Sequence, residues 1–220
     1  MRPVSFPVTH ELSGWELFWA RLEALPGQEE ALAALRRQAG ERARAEWSLE
    51  TLSADPTVAA VRSLFRAAGC DPTRYRPSSE ALLRRLLKGE ELPAIHPFVD
   101  LNNCLSVRLA VPACVAAEGS FTPPVTLRAG RPGESYESLR GPFNLEGKPL
   151  LADGEGAFGT PITDSQRVKV TGDTRQAWMV AYLPAGVVAA EAAGKTLEGL
   201  LAAAPVARVE DFGQSGGGTR

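Results

Sequence analysis

The nine residues Gln176–Pro184, QAWMVAYLP, run almost without a polar interruption. Such a stretch reads as a central β-strand with both faces buried, since an edge or half-exposed strand would alternate apolar and polar residues. Working outward, VTLRA (125–129), ESYESL (134–139), KPLLAD (148–153) and QRVKVT (166–171) are further strand candidates. They are separated by turn signals such as Arg131-Pro132-Gly133 and Asp153-Gly154. Upstream the texture is helical. Ala54–Gly69, ADPTVAAVRSLFRAAG, has Asp55 to cap the helix, Pro56 at its first position and Gly69 to close it, with Val58, Val61, Phe65 and Ala68 on one face.

Gln28–Trp47 places Leu32, Leu35, Ala39, Ala43 and Trp47 on a second helical face. In Tyr75–Pro93, YRPSSEALLRRLLKGEELP, Ser78 or Ser79 is the expected cap and Leu82, Leu83, Leu86 and Leu87 face inward. His96–Val111 reads as a helix ended by Pro112, and 186–203 as a final helix. Trp15, Phe18, Trp19, Leu22 and Leu25 suit a short amphipathic helix after an extended start. Helices first, strands later and a closing helix make an α+β chain, with mixed β-sheets packed against helices and an N-terminal helical region. The expected organisation is a helical region over 1–54 packed on a core domain over 55–205, then a partly disordered tail over 206–220.

The 220 residues can bury a substantial core, roughly 70% of the unfolded surface. A formal charge of −2 and a pI near 5.8 exclude a global basic footprint, so avid non-specific nucleic-acid binding and a DNA partner are not expected. Cys70, Cys104 and Cys114 are too few and too scattered for a disulfide framework or a zinc site, and neither a metal nor a cofactor is expected. With no signal-like start and no 18-residue apolar run, the expectation is a cytoplasmic protein without a membrane partner.

Two segments carry a resemblance. YRPSSEALLRRLLKGEELPAIHPFVDLNNCLSVRLAVP, followed by GEGAFGTPITDSQRVKVTGDT, resembles a stand-alone B3/B4 domain. This is the module that, in the β chain of bacterial phenylalanyl-tRNA synthetase, hydrolyses tyrosine wrongly attached to the phenylalanine tRNA. The resemblance spans about 55–185. Val99–Asn103, VDLNN, stands where that module has a V-D-x-x-N helix, and Gly159–Ser165, GTPITDS, where it has a Gly-rich loop bearing a Glu. Cys114 takes the place of the module's His, and Asp164 is the acid nearest to the loop Glu. The resemblance implies a B3/B4-like fold and a free-standing trans-editing deacylase of mischarged aminoacyl-tRNA, with tRNA or aminoacyl-tRNA as partner. The alternative of the same fold is a non-catalytic module that binds an amino-acid-sized ligand or an aminoacyl end.

Deacylation breaks an activated ester, so positioning a water and stabilising an oxyanion suffice, and no Ser-His-Asp set is needed. The loop supplies candidates for this work. Asp164, Thr160 and Ser165 are the candidate catalytic groups; Gly159, Thr163, Arg167, Asn103 and Cys114 are candidate substrate contacts. Each also has a plain structural reading. Thr, Asp and Ser beside Pro161 are ordinary turn formers, Asp100 and Asn103 suit helix capping or a buried backbone bond, and a lone Cys is usually a small buried apolar residue. On the outer face of the Ser78–Leu87 region, Glu80 is expected to pair with Arg84 and Lys88 at i, i+4 spacing. Arg84, Arg85 and Lys88 are candidate contacts to tRNA phosphates, and Arg76 is expected to anchor the preceding turn. The helix of Asn103 and the turn of Gly159–Ser165 are expected to line one hollow.

Overall fold

A computed structural model describes residues 6–216. The strands are β1 (Val8–His10), β2 (Trp15–Ala24), β3 (Ala113–Ala117), β4 (Val125–Ala129), β5 (Ser135–Ser138), β6 (Gly141–Asn144), β7 (Pro149–Asp153), β8 (Gly156–Gly159), β9 (Gln176–Pro184) and β10 (Ala207–Gly216). The helices are α1 (Glu29–Glu46), α2 (Pro56–Ala67), α3 (Ser78–Leu87), α4 (Pro97–Leu109) and α5 (Ala190–Ala203). The chain is an α+β protein.

An antiparallel sheet of order β10-β2-β9-β3 forms its centre. Its side chains alternate between two buried faces. Phe18, Ala20 and Leu22 of β2, Ala177, Met179, Ala181 and Leu183 of β9, and Ala113 and Val115 of β3 join the core shared with α1, α3, α4 and α5. Their neighbours Trp15, Leu17, Trp19, Trp178, Val180, Tyr182, Cys114 and Ala116 face a second core, with Val61 and Phe65 of α2 and with Val125, Leu127, Leu151 and Phe158 of the other large sheet. That second sheet is mixed, of order β1-β4-β7-β8, with β1 parallel to β4. A β5–β6 hairpin completes the architecture.

Several sequence expectations are corrected here. Trp15–Ala24 is a strand, because both of its faces are buried and its apolar residues therefore do not alternate with polar ones. The expected N-terminal helical region thus supplies an inner strand of the central sheet as well as α1. The segment read as a strand at 166–171 instead begins with a 3-10 turn over Gln166–Val168, capped by Ser165. Ala207–Gly216, read as the start of a tail, pairs with β2 from Ala24 to Glu16; residues 217–220 lie outside the described residues.

On α3 neither Ser78 nor Ser79 caps the helix; Pro77 precedes its first turn. Glu80 lies not on an outer face but is 1% exposed, held by Arg62, Arg84 and Arg76 at 2.8, 2.9 and 3.5 Å. On α4, Asp100 takes the capping reading: its Oδ1 accepts from the backbone N–H groups of Ile95 and His96, and its Oδ2 pairs with Arg36.

Candidate functional site

β8 ends at Gly159, and the chain turns through Thr160–Ser165 before the 3-10 turn. The turn is built by its own hydroxyls. Thr160 Oγ1 accepts from the N–H groups of Ile162 and Thr163 and donates to Thr163 O at 2.6 Å. Ser165 Oγ accepts from Arg167 N. The β5–β6 hairpin lies along the turn: Tyr136 Oη donates to Thr163 O at 2.6 Å, and Leu139 N donates to Asp164 O. The start of α3 adds a third support, Ser78 N to Pro161 O at 2.9 Å.

Beneath the turn, three side chains crowd around Gly159. A Cβ placed there would stand 3.2 Å from Asp164 Oδ1, 3.7 Å from Tyr182 Oη and 3.8 Å from Cys114 Sγ. A side chain there would press on Asp164, so glycine leaves this approach least crowded. Cys114 Sγ and Tyr182 Oη are 3.6 Å apart. The sheet register explains their meeting: Cys114 pairs with Val180, so Tyr182, two positions along β9, is its diagonal neighbour on the same face. Asp164 Oδ1 is buried and accepts no hydrogen bond among the described residues.

The electrostatics follow from burial. Desolvation pushes the Asp164 carboxyl up to about 8, against the opposing pull of the Thr160 and Val115 backbone N–H groups. The Cys114 thiol is raised well above its ordinary value, first by burial and then by the charge of Asp164, which leaves it a thiol rather than a nucleophilic thiolate. Tyr182 and Tyr136 are likewise raised, chiefly by burial. Of these four groups, Asp164 is the one whose proton affinity lies nearest neutrality.

The other predicted residues have different surroundings. Arg167 is committed to Asp153, at 3.0 and 3.2 Å, to Glu155 at 2.9 Å and to Gly156 O at 3.2 Å, bracing the β7–β8 turn. Asn102, not Asn103, reaches the strand that carries Cys114: its Nδ2 donates to Ala113 O at 3.2 Å, and its Oδ1 is buried without a partner. Asn103 is half-buried, and no hydrogen bond joins it to the turn among the described residues. The apolar side chains of α4 pack on the helix-covered face of the central sheet, whereas Cys114 and Tyr182 point from the opposite face. Arg84 is bound to Glu80, Arg85 to Glu90 and to Glu91 O, and Lys88 is exposed.

Sequence reasoning missed Tyr182 and Tyr136. Tyr182 sits within an apolar strand, where a phenol reads as one more core residue. Only the register of β3 against β9 reveals its partner.

The B3/4 domain family matches residues 60–197, more than half of the chain and the span that carries α3, α4, β8 and the Gly159 turn. The chain belongs to the B3/4 domain family. This B3/4 protein is similar to a solved N-terminal fragment of the phenylalanyl-tRNA synthetase β-subunit from Pyrococcus horikoshii, with 15% identity and a TM-score of 0.48. The similarity covers 96% of this chain and 54% of that one, so the B3/4 protein spans about half of the fragment's length. No curated protein matches it. Among the described residues no group of three or more His, Cys, Asp or Glu side chains is placed to hold a metal ion, and no helix is long and apolar enough to cross a membrane.

Proposed function

We propose that this B3/4 protein hydrolyses the ester of mischarged aminoacyl-tRNA in trans, with Asp164 as general base. The observation that carries the reading is the buried, unpartnered Asp164 Oδ1 beside Gly159, in a carboxyl whose affinity for a proton is raised to about 8. The Thr160 and Val115 backbone N–H groups serve the carboxyl, but its Oδ1 is buried without a donor, which suits that oxygen to a substrate or a water. In this mechanism the Asp164 carboxylate takes a proton from water as the water oxygen attacks the ester carbonyl. The bond to the ribose oxygen then breaks, and that oxygen takes up the proton. Ser165, whose oxygen already accepts from Arg167 N, retains a hydroxyl proton to offer a developing oxyanion. Thr160, Thr163 and Gly159 shape the turn, Arg167 braces the neighbouring β7–β8 turn, and Cys114 lies beneath Gly159 at the amino-acid end.

The test is release of amino acid from a panel of mischarged tRNAs. At least one should be released above the buffer rate, and the excess should vanish in Asp164→Asn. Absence of release for every tRNA would remove the reading. A second reading has its own support: the Thr160 hydroxyl is fully engaged by the turn and the Cys114 thiol is inert. On that reading the fold binds an amino acid or aminoacyl end without turnover, and a ligand-dependent rise in melting temperature with no hydrolysis would select it.

A further inference from the structure

The buried carboxylate of Glu80 is shared by three guanidinium groups. Arg62 Nη1 is 2.8 Å from Oε2, Arg84 Nε 2.9 Å from Oε1 and Arg76 Nε 3.5 Å from the same oxygen. One carboxylate opposite three fixed positive charges leaves an excess of two. The three arginines are not equally committed. The Arg62 side chain is 15% exposed and also binds Thr73 Oγ1 and Pro72 O. Arg84 is 28% exposed and Arg76 41% exposed; neither has another acidic partner among the described residues. A guanidinium carries five donors in a planar fork, so a single contact through Nε leaves the outer edge of each ready for another anion. The nearby Asp71 acts on Arg62, the least exposed of the three, and makes no ion pair with Arg76 or Arg84 among the described residues.

The position of this cluster gives it meaning. Arg76 and Arg84 bracket the first turns of α3, whose first residue, Ser78, donates its backbone N–H to Pro161 O in the candidate catalytic turn. Here the imbalance is held in place by a carboxylate that cannot move away, which presents two forks at a set spacing beside the turn. We propose that Arg76 and Arg84 dock a phosphodiester of the single-stranded acceptor end of a tRNA and so guide the esterified ribose to the Asp164 turn. This rests on the proposed aminoacyl-tRNA substrate. It differs from an assignment to the later part of α3, because Arg85 is occupied by Glu90 and by Glu91 O.

The experiment titrates a fluorescently labelled, uncharged tRNA with the full chain at several salt concentrations, comparing wild type with Arg76→Gln, Arg84→Gln and the double variant. Arg85→Gln serves as the control on the same helix, and circular dichroism checks folding. Each of the first two changes should weaken binding about 3- to 10-fold and reduce the slope of log affinity against log salt by roughly 0.7–0.9, with the Arg85 variant unchanged. Equal affinity and slope for wild type and the Arg76 and Arg84 variants would overturn the inference, and so would a wild type that binds no tRNA. Because Arg84 lies closer to Glu80, Arg76→Gln decides the matter alone if the Arg84 variant unfolds. Salt-sensitive binding that depends on Arg76, without hydrolysis of any mischarged tRNA, would retain the docking site and remove the hydrolase reading.

Discussion

At Asp164 burial and chemistry oppose each other. An unfolded Asp titrates near 3.8, whereas here burial raises the carboxyl to about 8. Between these values the folded protein holds a proton that the unfolded chain has lost. Stability contributed by this group is therefore complete below about 4 and is lost as pH rises toward 8. Asp164→Asn removes the titration. Its melting temperature should exceed that of wild type by at least about 3 °C at pH 8, roughly 1 kcal/mol in a chain of this size, and by less at pH 5. The same substitution should lower deacylation by about 10²-fold or more, the scale of a lost general base. Since the basic form is the active one, the wild-type rate corrected for buffer hydrolysis should rise with pH to an inflection near 8. A flat profile would dismiss Asp164 as the base. Cys114→Ala, by contrast, should keep the rate within a few-fold while costing about 1–2 kcal/mol of stability in a denaturant titration. Asn103→Ala, which removes no bond to the turn among the described residues, should likewise keep the rate within a few-fold, and Asn102→Ala, assayed beside it, separates the two neighbouring amides.

Single elements depend on charges that the helix periodicity alone does not reveal. α3 carries Glu80 in its first turn, where a carboxylate also favours the helix dipole. Taking Glu80 away would leave Arg62, Arg76 and Arg84 facing one another without a counter-ion. Glu80→Ala should therefore destabilise the protein by about 3–5 kcal/mol, far more than an exposed i, i+4 pair is worth. A loss below 1 kcal/mol in urea would show the cluster to be loosely held. The i, i+4 spacing of Glu80 and Arg84 was legible in the sequence, but not its burial, because Arg62 comes from α2. The same holds for Asp100. Its place at the head of α4 was readable as a cap, whereas its partner Arg36 lies on α1.

For the whole molecule, β10 closes the edge of the central sheet over β2, and Gly213 lies against the Trp19 ring. Truncation after Val206 would uncover the backbone of β2 and part of both cores. The shortened chain should lose its cooperative melting transition or aggregate, since an exposed apolar edge is a pairing site. A truncated chain that remains monomeric with an unchanged transition would make β10 dispensable. Gly213→Val is a milder check. A Cβ there would come within 2.6 Å of the Trp19 ring, so a clear fall in melting temperature is expected.

The local code in this chain was sufficient wherever one element's own residues decide its state. Asp55, Pro56 and Gly69 delimit α2, Pro112 follows the end of α4, and an unbroken apolar run makes Gln176–Pro184 a central strand. The Gly159–Ser165 turn was readable because Thr160 and Ser165 satisfy backbone groups within three residues of themselves. Tertiary structure alone decided the rest. Trp15–Ala24 becomes a strand because two separate cores claim its alternate side chains, and Ala207–Gly216 becomes one because β2 offers it a ladder. Cys114, Asp164 and Tyr182 meet around Gly159 only through the pairing of β3 with β9 and the return of β8. Burial, which sets how strongly Asp164 holds its proton, is a property of that packing and of no residue by itself.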